Sequence, residues 1–268
     1  VAEGSNSPAV NFGGIVGHTR GPVTNYCTNV GTLTLDVLSG TGTIYVGGVV
    51  GLVHDDATDG LLSGNCSNTG ALTLNNPTGA IYAGGVIGYT KFKIENVVNG
   101  GALTVNFSTS GTTGFNYIGG ITGRGKGGIE NCTNSGNLSV TNKKIRLGGL
   151  AGFSDGTIID CNVLESILTV NGTSANSQIG GFSGYSNNNI SGGVFSGSIV
   201  NNSTKATYTG GLVGGLAATS GPTITDVSMS VSITSAAANS GLIYGGQAEG
   251  NATNKILLSL ELFKIVSS

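Results

Sequence analysis

A six-residue phrase, x-G-G-aliphatic-x-G, recurs along the chain and limits what it can fold into. It reads FGGIVG from Phe12, VGGVVG from Val46, AGGVIG from Ala83, IGGITG from Ile118, LGGLAG from Leu147, IGGFSG from Ile179 and TGGLVG from Thr209, and a decayed form, YGGQAEG, begins at Tyr244. The glycine pairs start at 13, 47, 84, 119, 148, 180, 210 and 245, so the intervals are 34, 37, 35, 29, 32, 30 and 35 residues. A fixed phrase at a variable interval describes constant strands joined by loops that tolerate insertion, which is the mark of a repeat architecture.

A second phrase, built around cysteine and asparagine, lies between the glycine phrases. It reads VTNYCTNVGTLTL from Val23, LSGNCSNTGALTL from Leu62, IENVVNGGALTV from Ile94 and IENCTNSGNLSV from Ile129. Each copy alternates with period 2. Ile44 and Val46 flank Tyr45, Ile81 and Ala83 flank Tyr82, and Ile145 and Leu147 flank Arg146, the pattern of a half-buried strand, while helical spacing is nowhere sustained. One copy cannot bury its own apolar face, so the copies must stack on one another. The expected fold is all-β: a β-solenoid, parallel β-helix-like, of about eight coils with a period near 33 residues, forming a single repeat domain over residues 1–268.

Strands about 4.8 Å apart would make this a rod on the order of 40 Å long. The glycine pair then marks a corner where the backbone needs positive φ or where two strands cross too closely for a Cβ. The tail ILLSLELFKIV from Ile256 aligns with ITDVSMSVSIT from Ile224. Residues 256–268 therefore read as a terminal coil, a cap or a docking strand, because a parallel stack leaves open edges at its ends.

Composition removes other classes. The chain has 49 glycines, 4 prolines and 9% charged residues, with 38% hydrophobic residues in short alternating runs and a net charge of −2. Disordered chains are usually charged and poor in aliphatics, so a regular core is expected. Eleven Lys plus Arg, with no basic run longer than NKKIR at Asn142–Arg146, leave no electrostatic footprint for nucleic acid. No apolar run is long enough for a transmembrane segment. The chain starts at Val1 without an initiator Met or a signal core, and reads as a processed or excised piece.

The pairing of GG-aliphatic-x-G with I-x-N-C-x-N-x-G-x-L-[ST]-V resembles the GLUG-type repeat of bacterial cell-surface and secreted, adhesin-like proteins. The resemblance covers nearly the whole chain and implies an extracellular, surface-exposed stalk or adhesive module. The last three copies depart from it: GGVFSGSIV, DVSMSVSIT and SLELFKIV have lost both the cysteine and its asparagines, and read as caps or partner-facing coils.

Three groups of side chains are candidates for function. Cys27, Cys66, Cys132 and Cys161 share one repeat position, which Val97 and Val227 fill elsewhere. Valine neither binds metal nor forms a disulfide, so the position asks mainly for a small buried side chain. Zinc is disfavoured, because no C-x-x-C or histidine cluster occurs, and in-register side chains hold Cβ atoms too far apart for easy disulfides. Asn29, Asn68, Asn99 and Asn134 lie two residues further on, where stacked amides could hydrogen-bond from coil to coil. Two positions before each glycine pair stand Asn11, Tyr45, Tyr82, Tyr117, Arg146, Gln178, Tyr208 and Ile243. This predicts an exposed aromatic strip suited to glycan or protein partners, or a sheet face stabilised by aromatic neighbours.

The acidic segment HDDATDG contains Asp55, Asp56 and Asp59. It could hold calcium through flexible carboxylates, although it lacks an EF-hand's spacing and reads more simply as a solvated loop facing Lys91 and Lys93. A row of Thr34, Thr73, Thr104, Ser139 and Thr169 invites comparison with ice-binding threonine rows, yet β-branched residues are favoured in any strand. Scattered acids and two histidines at different repeat positions argue against an enzyme. The expected function is non-enzymatic: an extracellular stalk, filament subunit or adhesin that meets copies of itself or surface proteins through its ends. The alternative is a carbohydrate-binding module using the tyrosine ladder.

Overall fold

The structure, a computed structural model, describes residues 9–37, 42–57, 62–107, 114–141, 143–172, 176–205, 207–217, 221–236 and 239–249. Asp59 and the segment 256–268 lie outside them. The described residues form an all-β solenoid of about seven turns whose strand pairings are parallel throughout.

Each coil runs through four faces. The first stacks eight strands, beginning with Val10–Gly13, Ile44–Gly47 and Ile81–Gly84, and the second stacks eight that follow directly, beginning with Val16–Thr19, Val50–Val53 and Ile87–Thr90. A five-stranded third face starts at Ile94–Glu95 and is extended by the bridges Val23–Leu62–Ile94. The fourth holds eleven strands: paired short segments such as Ser67–Asn68 and Leu72–Asn75 in early coils, and single strands Asn162–Asn171, Val194–Asn201 and Ser228–Ser235 in later ones. Alternate apolar residues of all faces meet in one core running along the rod, including Ile44, Val46, Leu72, Leu74, Ile94 and Ile118.

The three glycines of each phrase serve close approach, and none of Gly84, Gly85 and Gly88 has positive φ. A Cβ on Gly88, the third glycine, would lie 2.7 Å from Val46 N and 2.8 Å from Tyr82 O, so the second face can press on the backbone of the first only without a side chain there. A Cβ on Gly85 would lie 2.5 Å from the side-chain amide of Asn99, and one on Gly14 2.9 Å from that of Asn29. The two repeated phrases are therefore complementary: the asparagine of one fills the space the second glycine of the other leaves open. In later coils Val163 and Met229 fill it instead, 2.9 and 2.6 Å from a Cβ placed on Gly149 and Gly211.

Positive φ sits elsewhere. Asn65, Asn96, Asn131, Asp160 and Asp226, each one residue before the cysteine position, have φ between 50° and 62°, the left-handed region that Asn and Asp tolerate best after glycine. The first copy has Tyr26 there at 63°.

The register corrects the eighth copy. Gly241, not Gly245, pairs with Gly210, and Asn239 pairs with Tyr208. The eighth phrase is therefore SGLIYG from Ser240, in which Leu242 replaces the second glycine, and Asn239 rather than Ile243 continues the tyrosine ladder. The pair Gly245–Gly246 stands out in the sequence, whereas the in-register phrase has lost its second glycine to Leu242.

Candidate functional site

The asparagine ladder is continuous. Asn29 Nδ2 donates to Asn68 Oδ1 (2.7 Å), Asn68 Nδ2 to Asn99 Oδ1 (2.9 Å) and Asn99 Nδ2 to Asn134 Oδ1 (2.7 Å). Each amide also donates to the carbonyl two residues ahead, as Asn99 does to Gly101 O at 2.9 Å. Beyond Asn134 the next rung is Val163, and Ser166 Oγ takes over, accepting from Asn134 Nδ2 at 3.4 Å and donating to Gly136 O at 2.7 Å.

The four cysteines are free thiols. Cys66, Cys132 and Cys161 are buried, while Cys27 in the first coil is half-buried. Burial pushes the Cys66 thiol up to about 11, and the contact with Cys132, together with burial, raises that of Cys161. These are poor nucleophiles and poor metal ligands. Among the described residues no group of three or more His, Cys, Asp or Glu side chains could hold a metal ion. Asp55 and Asp56 diverge: Asp55 accepts from Tyr89 Oη at 2.8 Å, and Asp56 pairs with Arg20 at 3.0 Å and with His54. Of the two lysines expected to face this loop, Lys93 instead bridges Glu95 and Glu130 and Lys91 lies 5.1 Å from the Phe92 ring centroid. His18 and His54 differ in repeat position yet meet with ring centroids 5.2 Å apart.

The tyrosine ladder is assembled, but not as an exposed strip. Tyr45 stacks on Tyr82 and Tyr82 on Tyr117, each at 5.0 Å between centroids. These rings are half-buried, and Arg146 is buried. Tyr208 lies on the same ladder, separated from Arg146 by Gln178. Stacking uses the ring faces up, so the rings present edges and hydroxyls outward rather than flat platforms.

What covers them is a second ladder formed by the residue after the third glycine: Leu52, Tyr89, Arg124, Phe153 and Tyr185. Because the third glycine brings the two faces together, these side chains land beside the tyrosines. Tyr89 sits edge-wise to Tyr45 and Tyr82 at 5.9 and 5.7 Å. Tyr117 stacks on Phe153 at 5.7 Å, and Phe153 meets Tyr185 edge-wise at 5.4 Å. The Arg146 guanidinium is caged by Phe115, Phe153 and Tyr185 at 4.3, 4.7 and 4.0 Å and donates to Gln178 Oε1 at 2.6 Å. Such cation–π contacts gain strength when desolvated. The sequence did carry a signal for this ladder, in the Y, R, F and Y that follow GGVIG, GGITG, GGLAG and GGFSG.

Arg124 is the second cation of the cluster. It lies 4.6 Å over the Phe153 ring and forms a two-pronged pair with Asp155 at 2.7 and 2.8 Å. Burial disfavours its charge, but Asp155 more than compensates and raises its pKa. Burial first, and then neighbouring phenols, raise the hydroxyl pKa values of Tyr45 and Tyr82, and burial with the Asp55 contact does the same for Tyr89.

The two ladders line an open cavity of ≈ 380 Å³ over the second to fourth coils, with Leu52, Tyr45, Tyr82 and Tyr89 beside His54, Asp55, Arg124 and Lys126. The threonine row is also in register, from Thr34 through Thr73, Thr104 and Ser139 to Thr169, on the fourth face. Comparison with protein-family models, with curated proteins and with solved structures finds no match for this chain.

Proposed function

We propose that this chain is a non-enzymatic structural and adhesive repeat protein of the cell surface, a stalk, filament subunit or adhesin that works through its outward ladders and its open strand edges. The surface location rests on the resemblance of its phrases to GLUG-type repeats. The observation that carries the structural role is the state of the first coil. Among the described residues, Val10–Gly13 and Leu33–Asp36 each pair on one side only, with Ile44–Gly47 and Leu72–Asn75. Val10, Phe12, Leu33 and Leu35 are half-buried there, whereas Ile44, Val46, Leu72 and Leu74 at the same ladder positions are buried.

A parallel edge that is unpaired among the described residues and backed by half-covered apolar side chains is a template for another coil. The reading assigns that coil to a second copy, joined end to end.

Negative-stain electron microscopy over a concentration series tests this, with the parent, a Phe12→Lys/Leu35→Lys variant and a chain lacking residues 256–268. Rods that lengthen with concentration, and stay single when charge is placed on the first coil or the tail is removed, are expected. Single rods of the parent at every concentration would sink the end-to-end reading.

A further inference from the structure

We infer that the cavity between the tyrosine ladder and the Leu52–Tyr89–Arg124 ladder is a binding site for one anionic saccharide unit, a sugar ring bearing a carboxylate or a sulfate. The inference goes beyond the rod reading and does not depend on it, since the cavity lies on the side of the second to fourth coils and not at an end.

The size is the first argument. A space of ≈ 380 Å³ falls at the lower end of the range for small-molecule pockets, about 300–1,000 Å³, and suits a sugar ring or two rather than a polymer cross-section. The lining is the second. Leu52 and the rings of Tyr45, Tyr82 and Tyr89 supply the apolar part of the lining, Tyr45 and Tyr82 stacked on each other, and the tyrosine hydroxyls with Asp55, Arg124 and Lys126 supply the polar part. A pyranose has the same division, with an apolar C–H face and a belt of hydroxyls, and aromatic side chains with polar tips match it.

Charge is the third argument. Asp55 already accepts the Tyr89 hydroxyl at 2.8 Å, and Arg124 pairs with Asp155, which is not part of the lining. Lys126 is exposed, with its Nζ 5.5 Å from the Tyr89 ring centroid, and makes no ion pair among the described residues. Lys126 is thus a lining cation with no carboxylate partner among the described residues, beside an Arg124 already held by Asp155, and Asp55 is the one carboxylate of the lining. A singly charged anion seated at Lys126 gains a partner there, and the Asp55 carboxylate of the same lining opposes the further charge that a phosphate ester would bring. The cavity is also built in advance: Tyr89 is fixed by two ring contacts and a hydrogen bond, so little ordering cost attaches to binding.

The test is isothermal titration calorimetry of the whole chain with three probes of equal length: a galacturonate oligosaccharide, a sulfated galactan oligosaccharide and a neutral galactan oligosaccharide. Binding of one or both anionic probes is expected, with the neutral probe at least tenfold weaker and affinity falling as salt rises. The carboxylate and sulfate arms identify which anion is taken. Lys126→Gln, an exposed change that leaves the fold intact, should weaken the anionic probe about tenfold and leave the neutral one unchanged. Tyr82→Phe, which keeps the ring stack, should weaken all saccharides.

No heat from either anionic probe at millimolar concentration overturns the inference. So does equal affinity for all three probes, or binding that neither variant changes. End-to-end assembly of the same samples by electron microscopy is a separate readout, so failure here leaves the structural reading to its own test.

Discussion

Asn99→Ala is the substitution that most directly tests the internal logic of the rod. Asn99 is fully buried and its side chain takes part in four hydrogen bonds: to Gly101 O (2.9 Å), to Asn134 Oδ1 (2.7 Å), from Asn68 Nδ2 (2.9 Å) and from Gly101 N (3.3 Å). Asn68 Nδ2 keeps Gly70 O, and Asn134 Oδ1 keeps Gly136 N, so two neighbours are only partly stranded. With a net loss of about 1 kcal/mol per buried hydrogen bond, the variant should lose about 3–5 kcal/mol.

Asn29→Ala is the matched control. Asn29 makes three such bonds, in the half-covered first coil, with no rung above it among the described residues. Water can replace part of what is lost there, and a cost of about 1–2 kcal/mol is expected.

Urea unfolding followed by far-ultraviolet circular dichroism gives the difference. Hydrogen exchange locates it, because a solenoid couples mainly nearest neighbours and can open locally. Protection should fall across the third and fourth coils in Asn99→Ala and only in the first in Asn29→Ala. If the two variants cost the same within about 0.5 kcal/mol, the amides serve their own turns and the coil-to-coil ladder adds nothing.

Two further outcomes follow from the same geometry. Gly85→Ala places a Cβ against Gly120 O and 2.5 Å from the Asn99 amide, and should cost about 3 kcal/mol or more. Gly21→Ala meets no atom within 4 Å and should be neutral or stabilise by up to about 1 kcal/mol; equal melting temperatures for the two would refute the close-approach account. In alkali, the tyrosine hydroxyls set the sign. Burial holds Tyr45 and Tyr82 above the ordinary 10.0 and pushes Tyr244 up to about 12, so the folded chain keeps protons that the unfolded chain releases. Their contribution is complete below about pH 10 and is lost as pH rises through the folded values. Tyrosinate absorbance of Tyr45 and Tyr82, assigned with Tyr→Phe variants, should therefore appear together with unfolding, and titration near pH 10 with the fold intact would refute it.

The fold was legible because its information is local and repeated. Period-2 alternation around Tyr45, Tyr82 and Arg146 specifies which residues face inward, and recurrence specifies that copies stack. The reason for the glycines was only half legible. Sequence left positive φ and close approach as equals, and only the placement of Val46 N and the Asn99 amide against Gly88 and Gly85 decides for close approach. The true left-handed positions, Asn65, Asn96, Asn131 and Asp160, were visible as the residue before the cysteine but carried no label of conformation.

The candidate site was less legible, because it is made by contact between two ladders rather than by either one. Tyr45, Tyr82 and Tyr117 could be placed in one row from spacing alone. That Tyr89 and Arg124 cover that row depends on how sharply the chain turns at the glycine corner. Asn99 packs against Gly85, which lies between Tyr82 on the first face and Tyr89 on the second, and Asn68 packs in the same way against Gly48, between Tyr45 and Leu52. The asparagine ladder therefore packs against the turn that joins the two faces lining the cavity. It spans the first four coils and stops at Val163, and the cavity occupies coils two to four, so the cavity lies within the hydrogen-bonded part of the rod.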